Sequence, residues 1–161
     1  MTEPFIQATD LVKTYTAGKR VVTALDNLSL SVPRGTVQAL LGPNGAGKTT
    51  TVKVLTTLIK PDSGSAILGG VDVLAQPDQV RRMIGVSGQY AAVDENMTGF
   101  ENLDMVGRLY HLTPEESRRR ARELIEMFDL VEAGDRPVKG FSGGMRRRID
   151  LAGALVVNPP V

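Results

Sequence analysis

The sequence predicts an α/β fold in which a β-rich first half carrying one glycine loop is joined to a helical second half. Three observations predict it. Short half-apolar runs broken by turn residues fill Ile6 to Val32. A glycine-rich stretch, Gly42 to Thr49, stands between an apolar run and a helix-like one. From about residue 98 the pattern becomes helical, with a helix start spelled out at Thr113.

Taken in order, "LVKTYTAGKRVVTALDNLSLSV" has Ala17-Gly18-Lys19 between two half-apolar segments, which reads as an antiparallel pair of strands. After the turn Pro33-Arg34-Gly35, the apolar run Thr36 to Leu41, "TVQALL", is expected to be a strand leading straight into the glycines. A helix is expected over Lys48 to Ile59, ended by Lys60-Pro61-Asp62-Ser63-Gly64, and "SAILGGVDV" returns to strand character. The bulk of the sheet should lie before residue 90, with "MIGVSG" a further strand-like run. Thr113-Pro114-Glu115-Glu116 supplies an N-cap, a proline at the first helical position and a capping-box glutamate. The helix begun there carries Ala121, Leu124, Ile125 and Phe128 on one face, and Glu115 and Glu116 precede Arg119 and Arg120 by the four residues that suit ion pairs. The closing run "ALVVNPPV", 154 to 161, reads as the opening of a buried strand.

The 161 residues suit one domain with a core. Nineteen basic and eighteen acidic side chains give a net charge of +1, so no overall field recruits nucleic acid or an anionic membrane. The absence of cysteine excludes disulfides and thiolate metal sites and fits a reducing compartment. The opening "MTEPFIQATD" has neither a basic nor an apolar region of a secretory signal, which makes the cytosol the default. The uncharged stretch Leu151 to Val161 falls short of the roughly 20 residues of a membrane helix. A membrane, if it matters, is met through a partner.

"GPNGAGKT" matches the phosphate-loop pattern G-x-x-x-x-G-K-[ST] in a strand-to-helix context. The glycines let backbone N–H groups converge on a phosphate, and the helix adds its positive N-terminal end. Lys48 can reach the β- and γ-phosphates, and the Thr49 hydroxyl is placed to ligate Mg²⁺. Gly42, Pro43, Asn44, Gly45, Ala46, Gly47, Lys48, Thr49 and Thr50 are therefore the candidate contacts to a nucleotide's phosphates. Ser142, Gly143 and Gly144 open a second helix N-terminus beyond the helical segment, also able to bind an anion. A single chain can hardly fold both onto one phosphate, so a head-to-tail dimer is the natural solution. Arg146, Arg147 and Arg148, in a chain of this net charge, read as a solvated helix face or a partner contact rather than a nucleic-acid site. The single histidine, His111, reads as a surface residue.

On these motifs the chain resembles the nucleotide-binding domain of ABC transporters along nearly its whole length. "GPNGAGKTT" looks like the Walker A motif, "VSGQYAAVDENMTGFENL" like the Q-loop and the segment after it, and "FSGGMRRRIDLAGALVVNPPV" like the signature motif with its helix. The likeness is strongest to bacterial drug-exporter ATPases of the daunorubicin-resistance type. It implies a phosphate-loop NTPase of ABC type, with a core over about residues 1–90, a helical subdomain over 91–145, and the signature helix and start of the Walker B strand over 146–161. By the same likeness Tyr15 stacks on adenine, Gln89 meets the metal and the attacking water, and Ser142, Gly143 and Gly144 contact the partner copy's ATP. Met145 departs from the commonest signature, which has glutamine there.

The resemblance implies integral membrane partner subunits, peripheral attachment at the inner face of the cell membrane, and coupling of ATP hydrolysis to export of a drug or other hydrophobic substrate. Contacts to membrane subunits would run through Tyr90 to Leu109. It also implies a Walker B strand directly after Val161, so the expectation is a chain incomplete at its C-terminus, slow in hydrolysis and marginally stable. A non-catalytic nucleotide-binding fragment and a soluble ABC-type ATPase outside transport are the alternatives.

Overall fold

The computed structural model describes residues 4–18, 20–88 and 93–161. The chain divides into two compact units, Met1–Arg81 and Arg82–Val161.

The first unit is built on a four-stranded antiparallel sheet in the order β2-β1-β3-β4. Strands β1 (Pro4–Ala17) and β2 (Arg20–Pro33) are the two halves of the expected hairpin, and Gly18 opens the turn between them at φ 62°. β3 (Ser63–Leu68) and β4 (Val71–Asp72) come from the "SAILGGVDV" segment. All named strands lie before residue 90, as expected. Helix α1 (Lys48–Leu55) packs Val54 against Ala8, Leu11 and Leu25, with Leu28, Leu30, Leu55 and Ile59 around that cluster. The short helix α2 (Pro77–Arg81) buries Val80.

Two expectations fail in this unit. Thr36 to Leu41 is not a strand: it pairs with none of the described strands, and Val37 and Leu41 are 99% and 90% exposed. An apolar run becomes a strand only where a neighbour offers a ladder. Helix α1 stops at Leu55 instead of Ile59, because Thr57 adopts a left-handed φ of 63° and the Thr56 hydroxyl donates back to the Val52 carbonyl.

The second unit is helical. α3 (Gly99–Leu109) starts at a Thr98 N-cap with a full capping box to Glu101, a [ST]-x-x-E signal as readable as the one at Thr113. α4 (Pro114–Met127) starts as expected, with Thr113 and Glu116 exchanging capping-box bonds. α5 (Gly143–Ala154) completes the bundle. Leu103, Ala121, Leu124, Ile125, Ile149 and Val156 form the core, with Phe128 partly buried beside them. Gly107 allows α3 to approach α4: a Cβ there would sit 2.4 Å from the Ser117 hydroxyl oxygen.

Here too the structure corrects the sequence reading. Arg119 and Arg120 pair with Glu123 rather than with Glu115 and Glu116, since Glu116 is engaged by the cap and Arg120 reaches the Leu155 and Val156 carbonyls at the end of α5. The run 154–161 does not open as a strand. It finishes α5, turns, and buries Val156 in the helical core; only at Val161 does the backbone exchange bonds with Met83 and Gly85. "MIGVSG", 83–88, accordingly forms no strand and has this single rung. No helix of the described residues is long and apolar enough to cross a membrane.

Candidate functional site

The loop before α1 owes its shape to backbone that only glycine adopts freely. Gly45 and Gly47 sit at φ 87° and 85°. Gly47 is the N-cap of α1, and a Cβ on it would lie 2.4 Å from the Ala24 carbonyl oxygen, so the loop ends pressed against β2. The amide of Ala46 donates to the Pro43 carbonyl at 3.2 Å, closing the curl. Thr51 ties the helix start down, its amide and hydroxyl both donating to the Gly47 carbonyl at 2.8 and 3.0 Å. The first turn of α1 contains no acidic residue, so its positive end is left uncompensated.

Lys48 Nζ donates to the Gly42 and Pro43 carbonyls, each at 2.7 Å, which folds the ammonium back over the loop. Asn44, Gly45, Ala46 and Thr49 are exposed and Thr50 is half-buried. A polyphosphate fits this set: a glycine loop of exposed residues, an uncompensated helix end and an ammonium held by neutral carbonyls that an anion can replace. Among the described residues no group of three or more His, Asp or Glu side chains gathers as a metal site. The exposed Thr49 hydroxyl is an oxygen donor that would serve as a protein ligand for a magnesium ion arriving with phosphate oxygens.

Tyr15 lies on β1 opposite Val22 of β2, is 41% exposed, and has its ring centroid 5.9 Å from Lys13 Nζ. β2 therefore carries both ends of the candidate site: Val22 faces Tyr15, and Ala24, two residues or about 7 Å along the strand, backs Gly47. The structure thus brings Tyr15 and the loop to one strand.

Gln89 lies outside the described residues. The segment leading to it is anchored to α5: the Ser87 hydroxyl donates to Asp150 Oδ2 at 2.6 Å, and the Arg147 guanidinium donates to the Gly88 carbonyl. Ser142 is the N-cap of α5, accepting from the Met145 amide at 3.3 Å, and Gly143 and Gly144 are exposed beside it, again with no acidic residue in the first turn. The arginines after it keep substantial exposure, with side chains 35%, 50% and 39% exposed, and they also bond within the chain. Arg146 holds Glu95 and the Lys139 carbonyl, Arg147 reaches Gly88 and Asp150, and Arg148 binds the Phe128 and Asp129 carbonyls. His111 is exposed, as expected, in a left-handed turn after α3.

Two acidic residues escaped the sequence reading. Asp62 appeared only as part of a turn, yet its carboxylate accepts from Lys13 Nζ, the Thr14 amide and the Thr14 hydroxyl. Asp150 had one signal, an acid set among apolar positions of a helix, and it is buried.

A left-handed glycine loop at a helix start, backed by an antiparallel sheet and followed by a helical unit, defines an α/β domain of the phosphate-loop class. The chain belongs to the ABC transporter family, whose model matches residues 25–161, and it is an ATP-binding domain of that family. It is 57% identical over 138 residues to a daunorubicin resistance ATP-binding protein of Streptomyces coeruleorubidus, covering 86% of this chain and 43% of that one. A doxorubicin resistance ATP-binding protein of Mycobacterium tuberculosis is 56% identical over 149 residues, 92% of this chain and 44% of the relative. The chain thus spans less than half the length of these relatives. Among solved structures, a dimeric ATP-binding cassette in a post-hydrolysis state with ADP and Pi superposes with a TM-score of 0.83 at 28% identity, over 96% of this chain and 70% of that one. A dimeric bacterial ABC transporter cassette matches equally well, at 29% identity over the same shares.

Proposed function

We propose that the chain binds Mg-ATP with the triphosphate in the loop Gly42–Thr50 and adenine against Tyr15, and that it does so as the ATP-binding subunit of a drug or lipophile exporter. The observation that carries this reading is the loop itself: left-handed Gly47 pressed on β2, with Lys48 folded over the Gly42 and Pro43 carbonyls at an uncompensated helix end. On binding, the phosphates take Lys48 from the Gly42 and Pro43 carbonyls. Thr49 and Gln89 ligate the magnesium ion, and Gln89 orients the attacking water. A second copy arranged head to tail adds Ser142, Gly143 and Gly144 to the γ-phosphate side.

Hydrolysis and export belong to the assembled transporter, in which integral membrane subunits choose the substrate and hold this domain at the inner face of the membrane. The names of the relatives, which specify daunorubicin and doxorubicin resistance, support the substrate class. The dimeric state named for the solved cassettes supports the pairing. The test is sedimentation with and without Mg-ATP for the wild type, Lys48→Ala and Ser142→Arg. ATP should convert monomer to dimer in the wild type alone. A dimer that forms equally well in Ser142→Arg contradicts the proposed pairing.

A further inference from the structure

Strand β1 is held irregularly just before Tyr15. Its register against β2 shifts between Leu11 and Lys13 and again between Lys13 and Thr14, and its pairing with β3 ends at Val12 opposite Ser63. Backbone donors and acceptors beyond that point need partners that β3 no longer supplies. Asp62, the residue immediately before β3, supplies them. Its amide donates to the Val12 carbonyl at 2.8 Å. Its carboxylate then accepts from the Thr14 amide and hydroxyl, both at 2.7 Å, and from Lys13 Nζ at 2.6 Å. One aspartate thus secures three consecutive residues that lead into the aromatic.

The same carboxylate fixes a charge. Lys13, with its side chain only 19% exposed, is drawn to Asp62 and held 5.9 Å from the centre of the Tyr15 ring. Charge-assisted bonds of this kind are the stronger class, and the arrangement lowers the Asp62 pKa to about 2, chiefly through Lys13. Asp62 also sits at the end of the segment that leaves the phosphate loop through α1. The tyrosine is therefore referenced to the loop twice, through β2 by way of Val22 and Ala24, and through Asp62.

We propose that Asp62 is a positioning residue for the base end of the nucleotide site, setting the Lys13–Tyr15 stretch at the spacing from the phosphate loop that an adenine nucleotide requires. This rests on the reading of Tyr15 as the adenine platform. A carboxylate that only stabilised the sheet would affect every ligand of the loop alike, whereas a spacer for the base affects only ligands that have one.

The experiment compares binding of Mg-ATP and of inorganic tripolyphosphate, by calorimetry on the full chain, for the wild type, Tyr15→Ala, Asp62→Ala, Asp62→Asn and Lys13→Met. Asp62→Asn keeps the shape and the Thr14 bonds while giving up the ion pair, so it serves if the alanine variant does not fold. Asp62→Ala, or Asp62→Asn and Lys13→Met to a lesser extent, should weaken ATP about threefold to tenfold, a loss of the size expected when stacking is misaligned, and leave tripolyphosphate within about twofold. Equal loss of both ligands, or loss of neither, overturns the proposal. Tyr15→Ala separates the two levels: if it fails to weaken ATP selectively, the adenine-platform reading falls and the proposal with it. If it does so while the Asp62 variants behave as wild type, only the proposal falls.

Discussion

Asp62 shows how much one side chain can organise within the sheet, bonding both Lys13 and Thr14. Its pKa is lowered from 3.8 to about 2, first by the bond from Lys13 and then by those from Thr14. A depressed folded-state value means that the stabilisation is complete above the unfolded value and is lost as pH falls from 3.8 toward 2. Wild type and Asp62→Asn should therefore differ in denaturant midpoint at neutral pH and converge across that acid window. A difference that persists unchanged to pH 2 would assign the effect to something other than the ionised carboxylate. Gly47 acts at the same scale: alanine there meets the Ala24 carbonyl in a backbone region that side chains rarely adopt, so Gly47→Ala should lower stability by about 1–3 kcal/mol and weaken nucleotide binding as well. The glycine pattern was legible in the sequence because the loop needs those backbone angles at closely spaced positions, Gly45 and Gly47 among them. The role of Asp62 was not, because its partners lie 48 and 49 residues away and only folding brings them together.

At the scale of elements, the helices of the second unit carry their instructions locally. Thr113 with Glu116 and Thr98 with Glu101 both complete capping boxes, and the apolar face of α4 is the one the spacing gives. Thr113→Ala should cost about 1 kcal/mol by loss of the cap. Leu124→Ala should cost about 2–5 kcal/mol, since Leu124 is fully buried in the helical core. Both are read from chemical denaturation, and a cost for Leu124→Ala below that of Thr113→Ala would contradict the placement of the core. Strands behave differently. The β1–β2 hairpin was readable because both partners and the turn are contiguous in sequence. Thr36 to Leu41 has as strong an apolar signal, yet it stays irregular, because a strand's existence depends on a neighbour that composition does not reveal. The ion pairs of α4 teach the same lesson: the four-residue spacing was present, but Glu116 was claimed by the cap and the arginines turned to Glu123.

At the scale of the whole molecule, the chain consists of two units with different tasks. The first joins a phosphate loop to an exposed aromatic through one strand, β2. The second is a helical core whose helix α5 begins at Ser142 and whose three consecutive arginines brace separate segments, among them the one leading to Gln89. The motifs at these places were readable in sequence, because phosphate chemistry demands glycines, a lysine and a hydroxyl in close order. The bracing was not, since a run of arginines looks the same whether it faces water or its own carbonyls. Membership of the ABC transporter family rests on a match over residues 25–161.

The central claim is that the loop around Lys48 is an ATP site, and the measurement that tests it most directly is calorimetric titration of Mg-ATP into the wild-type chain and into Lys48→Ala. Saturable binding at one site per chain is expected in the wild type, with a loss of at least about tenfold in the variant, the loss expected when one charge-assisted contact to phosphate is removed. Equal affinity in the two proteins, with both folded by circular dichroism, would contradict it.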